Sequence, residues 1–458
     1  MIIRQTSAKT VSSSEAGFSL AYIFGIDSRK EFKTMAIQRP KGTQDLLPGV
    51  VEQWQDLEEQ IRKICKEYGY QEIRTPIFEA TELFQRGVGE TTDIVNKEMY
   101  TFLDKGDRSI TLRPEGTASV CRAYVENKLH GGPQPVKLYY IGPMFRYERP
   151  QSGRFRQFHQ FGVEVLGVDK PMVDAEVITL VWDLYSRLGL KGLEVHVNSV
   201  GCPSCRPEHK KKLQEFLAPR QEQLCKDCQS RFEKNPLRIL DCKNPTCQEL
   251  TQGAPTTLDT LCEECAEHFK ELQSLLSAAE VVYKVNPRLV RGLDYYRKTA
   301  FEVLVEDIGA QSAICGGGRY DGLVQEVGGP PTPGIGFAMG MERVLAARKL
   351  AQGEQEGEGK EYLLLVALGD QAQREGFAII SRLRKQGMPA GIDLLGRSLK
   401  AQLKAADRVQ AHYAAILGEE ELHKGIIILR DLRLGEQVEL PLQDFEEVVW
   451  KRYKEDGN

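Results

Sequence analysis

The sequence predicts an α+β protein: an antiparallel sheet flanked by helices, interrupted by a helical insertion and followed by a small α/β domain. Three observations carry this expectation. Strand-like segments between residues 70 and 200 follow one another as hairpins, without regular β-α-β alternation. A cysteine-bearing helical block, 202–275, falls between two stretches of strand text. A Gly/Glu run at 353–360, GEQEGEGK, has nothing to pack and serves as a linker, and regular strand–helix alternation begins after it.

A net charge of −4 over 458 residues excludes general coating of nucleic acid, so any such contact must come from local basic patches. No apolar run approaches the roughly 20 residues of a membrane-spanning helix. Eight of the eleven cysteines lie between Cys202 and Cys265, mostly as C-x-x-C. That favours thiols or metal over a disulfide framework and points to a cytoplasmic location. Residues 1–34, rich in Ser and small polar residues, read as an extension that is disordered or lies upstream of a natural start at Met35.

From Gly49, apolar residues Val51, Trp54, Leu57, Ile61, Ile64 and Tyr68 recur at helical spacing, with Gly69 as the cap. Residues 70–76 read as a strand ended by Pro76. Strands follow at MYTFLD and ITLRPE, then a helix from Ala118 to Leu129. A hairpin turns near Ser152, followed by a helix over Val173–Leu188 and the strand LEVHVNS. After the cysteine block, strand text resumes at VVYKVNPRLVRGLDYYRKTAFEVLV, and GIGFAMGMERVLAARKL reads as strand then helix. GGGRY at Gly316–Tyr320 suits a tight turn between strands as well as a phosphate loop. Neither G-x-x-x-x-G-K-[ST] nor a strand-linked G-x-G-x-x-G is present.

The hairpin carries the strongest chemical signal. Arg146, Arg149, Arg154 and Arg156 fall within eleven residues against one acid, Glu148. Guanidinium forks match phosphate and carboxylate oxygens two at a time. A turn centred near Ser152 sets Arg146 opposite Phe158 and Met144 opposite Gln160. Strand alternation then gives Arg146, Gln160 and Glu164 one face, with Phe161, Val163 and Val165 packed on the other. A cation, an amide and a carboxylate so spaced suit a small zwitterion. The bland alternative for Glu164 is a structural ion pair with an arginine.

These segments match a family from Met35 to the C-terminus. The chain resembles the class II aminoacyl-tRNA synthetases, and among them the bacterial histidyl-tRNA synthetases. The resemblance is carried by RPKGTQDLLPG, GYQEIRTPIFE, TLRPEGTAS, FRYERPQSGRFRQFHQFGVEVLG, LVRGLDYYRKTAFE and GIGFAMGMERVL. It implies a class II catalytic domain over 35–352, interrupted by 202–275, and an anticodon-binding domain over 361–458. It implies a homodimer with Pro76 at the interface.

The implied activity joins L-histidine to ATP as histidyl-adenylate, then passes histidine to the 3' end of tRNA-His. By resemblance, Glu115 and Thr117 hold the substrate α-amino group. Arg146 and Arg291 act at the α-phosphate and the carboxylate. Gln160 and Glu164 bind the substrate, and Glu164 accepts from the imidazole N–H. Tyr295 and Tyr296 line the histidine pocket, Arg343 holds the γ-phosphate, and Arg154 is a candidate for the pyrophosphate end. Mg²⁺ accompanies ATP. The nucleophile is already ionised, so the chemical need is in-line positioning and neutralisation of phosphoryl charge.

Two rivals share parts of this pattern. Regulatory paralogues typically lack the C-terminal domain and parts of RGLDYY, and both are present here. A zinc-linked nucleic-acid-binding protein would not need the arginine motifs. In the insertion, Cys202/Cys205, Cys225/Cys228 and Cys262/Cys265 are C-x-x-C pairs, and Cys242 and Cys247 are spaced C-x₄-C. Such spacing suits one or two structural Zn²⁺ sites. The family resemblance instead implies a helical insertion that needs no metal and touches the tRNA acceptor arm. Arg397, Lys400 and Lys404 are candidate tRNA backbone contacts.

Overall fold

The computed structural model describes residues 37–89, 92–150, 153–293, 295–305, 313–353 and 362–456. The expectations for residues 1–34, for the turn at Ser152 and for most of the Gly/Glu linker lie outside these. Two compact units are formed, one of residues 37–46 and 61–346, the other of residues 47–60 and 347–456.

The first unit is built on an eight-stranded sheet. Its strands are β1 (Gln71–Glu72), β5 (Val136–Phe145), β6 (Gln157–Leu166), β7 (Leu193–Ser199), β8 (Tyr283–Val285), β9 (Arg297–Val305), β10 (Ala313–Arg319) and β11 (Gly334–Gly340). The order is β1-β5-β6-β11-β10-β9-β7-β8. Only the edge pairs β1–β5 and β7–β8 are parallel, so the sheet is mainly antiparallel as expected. A smaller sheet orders β2 (Phe78–Ala80), β4 (Ser109–Leu112) and β3 (Tyr100–Leu103) as β2-β4-β3.

Alternation gives the large sheet two chemically different faces. One carries Phe161, Val163 and Val165 of β6, Ile335, Phe337 and Met339 of β11, and Phe301 and Val303 of β9, all buried. Phe161 and Phe301 set their rings edge-on to Phe337 at 5.5 and 6.4 Å. Burying each such side chain contributes about 1.5–3 kcal/mol. Helix Pro171–Arg187 packs along this side, where Tyr185 Oη reaches Met339 Sδ at 3.3 Å. The opposite face carries Gln160 and Glu164, and between them the side chains shrink. Gly162 pairs with Ala338, Ala338 with Gly316, and Gly336 with Glu164. This row of hydrogens and methyls lets larger side chains lie directly on the sheet: Tyr140 over Gly162, Arg291 over Gly316 and the Glu164 carboxylate against Gly336.

Four readings of the sequence are corrected. The hairpin pairs Met144 with Phe158 and Gly142 with Gln160, two residues away from the expected register. Arg146 consequently meets Arg156, whose carbonyl accepts the Arg146 amide. The pairing centre lies one residue earlier than Ser152; an even shift preserves which residues share a face. GGGRY is not a turn: Gly316–Arg319 lie inside β10, at the centre of the sheet. Residues 286–293, 295 and 296 are not strand, and the segment at 70–76 is strand only over Gln71–Glu72.

The insertion is helical, as expected, with helices Arg206–Leu217, Lys226–Lys234, Pro245–Leu250 and Glu263–Ala278. The last of these is tied to the sheet unit by a buried network. Asp174 accepts from His268 Nε2 at 2.9 Å and Thr299 Oγ1 at 2.5 Å, and it pairs with Arg319.

The second unit has its own sheet, β13-β12-β14-β15-β16, formed by β12 (Leu363–Ala367), β13 (Ala390–Ile392), β14 (Tyr413–Leu417), β15 (Ile426–Asp431) and β16 (Gln437–Pro441). β12 is parallel to β13 and β14, and the other pairs are antiparallel. Leu363, Leu365, Ile379, Ile380, Leu417, Ile427 and Phe445 form its core. Lys400 and Lys404 are exposed on helix Leu399–Arg408, while Arg397 is held by Asp393.

Candidate active site

Ala338 and Gly316 of this row lie on the floor of a cavity of about 310 Å³. Gln160, Ala338, Gly340, Gly316 and Glu302 lie along that floor, and four arginines line the same cavity: Arg146, Arg154, Arg291 and Arg343. They come from the β5–β6 connection, the segment before β9 and the helix after β11. Arg149 and Arg156, also noted in the sequence, do not line it. Arg156 instead stacks over the Tyr147 ring at 4.0 Å.

Each arginine is aimed by specific contacts. Arg146 Nε donates to the Pro114 carbonyl at 2.9 Å, and its guanidinium lies 5.3 Å from the Phe158 ring centre. Arg154 Nη1 donates to Glu148 Oε2 at 2.9 Å. Arg343 Nη1 donates to the Ala313 carbonyl at 2.7 Å. Arg291 pairs with Glu302 and lies over the Tyr296 ring at 5.8 Å. Burial and the charges of Arg154 and Arg146 hold the Arg343 guanidinium below its ordinary value. Guanidinium does not lose its proton in this range, so the four arginines stay cationic and their arrangement suits an anion. A Cβ at Gly316 would stand 2.2 Å from an Arg291 nitrogen, so only glycine lets this side chain cross the sheet.

Beside the arginines lies a buried polar cluster. Glu164 is fully buried, accepts from Thr117 Oγ1 at 2.7 Å and accepts from Tyr320 Oη. No arginine pairs with it among the described residues, which sets aside the structural ion pair. Burial pushes its carboxyl up to about 8, against the two hydroxyl donors, with Glu115 adding to the rise. A Cβ at Gly336 would stand 2.0 Å from Glu164 Oε2, so the glycine makes the carboxylate's space.

Glu115 is also buried; its oxygens accept from the Thr117 and Ala118 amides at 2.8 and 2.9 Å, and burial raises its carboxyl. Those contacts cap helix Thr117–Glu126. Tyr295 and Tyr296 are buried with ring centres 4.7 Å apart, and Tyr295 stands edge-on to Tyr320 at 5.7 Å. Gln160 Oε1 is buried with no hydrogen-bond partner among the described residues, an acceptor placed to take an N–H from a ligand in the cavity.

Every candidate substrate residue read from the sequence thus falls in the cavity or in the adjoining cluster. Three contributors were missed. Tyr320, Glu302 and the small residues Gly316 and Ala338 of the floor sit in GGGRY, TAFEVLV and GIGFAMG; once β9 and β10 pair antiparallel, Glu302 opposes Gly316. Neither a tight turn nor a phosphate loop, the two readings GGGRY allows, gives Tyr320 a place beside Glu164; its position at the end of a central strand does.

The eight insertion cysteines come together as two groups, Cys202, Cys205, Cys262 and Cys265, and Cys225, Cys228, Cys242 and Cys247. Neither group contributes to the cavity lining.

Comparison with known proteins agrees with this geometry. Residues 42–344 match the family described as histidyl-tRNA synthetase, and residues 363–452 match an anticodon-binding domain. A histidine–tRNA ligase of Desulfitobacterium hafniense is 99% identical over 424 residues, 93% of this chain and 100% of that one. One from Desulforamulus reducens is 58% identical over 90% of this chain and 98% of its own. The fold is similar to that of apo histidyl-tRNA synthetase from S. aureus, with a TM-score of 0.78 at 42% identity, covering 90% of this chain and 99% of that one. The chain belongs to the histidyl-tRNA synthetase family, with the class II fold and an anticodon-binding domain at its C-terminal end.

Proposed function

We propose that the chain is a histidine–tRNA ligase whose arginine cavity activates L-histidine with ATP and whose buried cluster selects the imidazole. The observation that carries this is four convergent arginines beside a buried carboxylate held by two hydroxyls. The arginines answer to a polyphosphate, the carboxylate to a neutral hydrogen-bonding side chain.

In the first step the histidine carboxylate attacks the ATP α-phosphorus and pyrophosphate leaves. Arg146 and Arg291, which line the cavity together, would neutralise charge on the α-phosphoryl oxygens, with Arg146 also fixing the attacking carboxylate. Arg343 takes the γ-phosphate, and Arg154 the pyrophosphate end. Their mutual repulsion is relieved when the triphosphate enters. Glu302 and Glu342, carboxylates on the same cavity wall, would hold Mg²⁺ arriving with ATP, which supplies further positive charge at the phosphates.

Glu115 and Thr117 hold the α-amino group, Gln160 offers its unpaired oxygen, and Glu164 accepts from the imidazole N–H. Tyr295 and Tyr296 close the apolar sides. A site built to pair an N–H rejects analogues lacking it, because its own buried groups are left unpaired. The histidyl group then passes to the terminal ribose hydroxyl of tRNA-His, which the C-terminal unit engages. A cytoplasmic homodimer accompanies this proposal; no described helix is long and apolar enough to cross a membrane.

ATP–pyrophosphate exchange with each amino acid in turn tests the reading. Exchange should depend on histidine alone; exchange driven equally by another amino acid, or none at all with histidine, overturns it.

A further inference from the structure

We propose that the insertion holds two structural zinc ions, one in each tetracysteine group. Within each group the four Sγ atoms lie within 4.8 Å of one another. Sγ–Sγ separations are 3.5 Å for Cys202–Cys205, 3.8 Å for Cys202–Cys262 and 3.8 Å for Cys225–Cys242. A tetrahedron of thiolates around Zn²⁺, with bonds of about 2.3 Å, has S···S edges of about 3.8 Å. Disulfides are excluded at these distances, since bonded sulfurs stand about 2.05 Å apart. So close a set encloses a single ion and leaves no room for an iron–sulfur cluster.

The backbone around the thiols has the arrangement a metal thiolate needs. The Cys262 amide donates to Cys205 Sγ at 3.1 Å, and the Cys225 amide to Cys247 Sγ at 3.3 Å. Such N–H donors balance the excess negative charge of four thiolates on a dication. Cys205, Cys225 and Cys262 each stand at the N-terminal cap of a helix, which fixes where their side chains leave the backbone.

The two ions divide the work of holding the insertion. The first joins the chain leaving β7 to the N-terminus of helix Glu263–Ala278, closing a loop across the root. There the backbone of Val200 and Gly201 pairs with Lys298 at 2.7 and 3.0 Å. The second gathers helices Lys226–Lys234 and Pro245–Leu250, of nine and six residues, too short to persist without tertiary anchors. Cys228 and Cys247 belong to the small apolar core there, with Leu213, Leu217 and Ile239.

The test is the metal content of the full-length chain purified without chelator, read by elemental analysis. About two equivalents of zinc per chain are expected, with a mercurial thiol reagent releasing both. Cys205→Ser with Cys265→Ser should remove one equivalent, and Cys228→Ser with Cys247→Ser the other. If either double variant does not fold, protein grown on cobalt replaces it: intense thiolate-to-cobalt charge transfer with tetrahedral visible bands is expected. Release of the metal from wild type should expose 218–250 to protease, and returned zinc should restore protection. Less than about half an equivalent, or iron in place of zinc, overturns the proposal; a single equivalent overturns its two-ion form.

Discussion

Tyr320 donates its hydroxyl to the buried carboxylate of Glu164, across the strands β10, β11 and β6 that form the site's floor. With Thr117 on the other oxygen, this is what allows an acid to sit without a cationic partner in the protein interior.

Removing that donor should be felt at histidine and not at ATP. Tyr320→Phe keeps the ring contact with Tyr295 and deletes one hydrogen bond to the carboxylate. The histidine KM should rise on the order of tenfold or more, with the ATP KM nearly unchanged. Exchange kinetics at varied histidine and ATP check this. Equal effects on both substrates would contradict the assignment.

Glu164 also gives the ligand-free protein a distinctive pH dependence. Its carboxyl is raised from 4.5 to about 8 in the folded state. Its contribution to stability is therefore full below about 4.5, where both states are protonated, and is lost as pH rises through about 8. The slope is at most about 1.4 kcal/mol per pH unit. Glu164→Gln does not titrate, so its Tm should gain on wild type from pH 5 to pH 8 in thermal melts without histidine. In the active enzyme the acceptor form grows over the same range, so kcat/KM for histidine should rise with pH toward 8, and the Gln variant should lack that limb.

Gly316 passes under the Arg291 guanidinium, and a methyl there would lie 2.2 Å from its nitrogen. Gly316→Ala should displace Arg291 from the floor and lower the rate of adenylate formation by about tenfold or more in single-turnover measurements. An unchanged rate would show that Arg291 does not act from its position over Gly316.

Asp174 and Arg319 are both fully buried and paired. Burial opposes ionisation of Asp174, but His268 and Arg319 outweigh it and hold its carboxyl below the ordinary range. Its contribution is present above the unfolded value of about 3.8 and is lost as pH falls through the depressed one. Asp174→Ala should cost about 3–5 kcal/mol, measured by denaturant unfolding, because it takes the fully buried carboxylate from Arg319 and leaves it Asp321 and two backbone carbonyls.

Much of this site was legible in the sequence because its chemistry is written in contiguous segments. Arg146, Gln160 and Glu164 share one hairpin, and strand alternation alone assigns them a common face. The two-residue register error was harmless to that inference, since an even shift never exchanges faces. What could not be read was pairing between distant strands. Glu302 acquires its partner Arg291, and Tyr320 its partner Glu164, only after β9, β10 and β11 assemble. Glycine is the misleading residue: three in a row suit a turn, yet here they lie in a central strand, where their missing side chains let Arg291 lie across it. The cysteines illustrate the same limit, because spacing shows pairs but not which pairs meet.

The division of labour between cavity and cluster is tested most directly by histidine-dependent ATP–pyrophosphate exchange on Glu164→Ala and Arg291→Ala side by side. Glu164→Ala should nearly abolish exchange at low histidine, while ATP binding falls little. Arg291→Ala should lower the maximal rate of adenylate formation chiefly. Near-normal exchange by Glu164→Ala at low histidine, or an Arg291→Ala effect confined to histidine KM, would contradict the account.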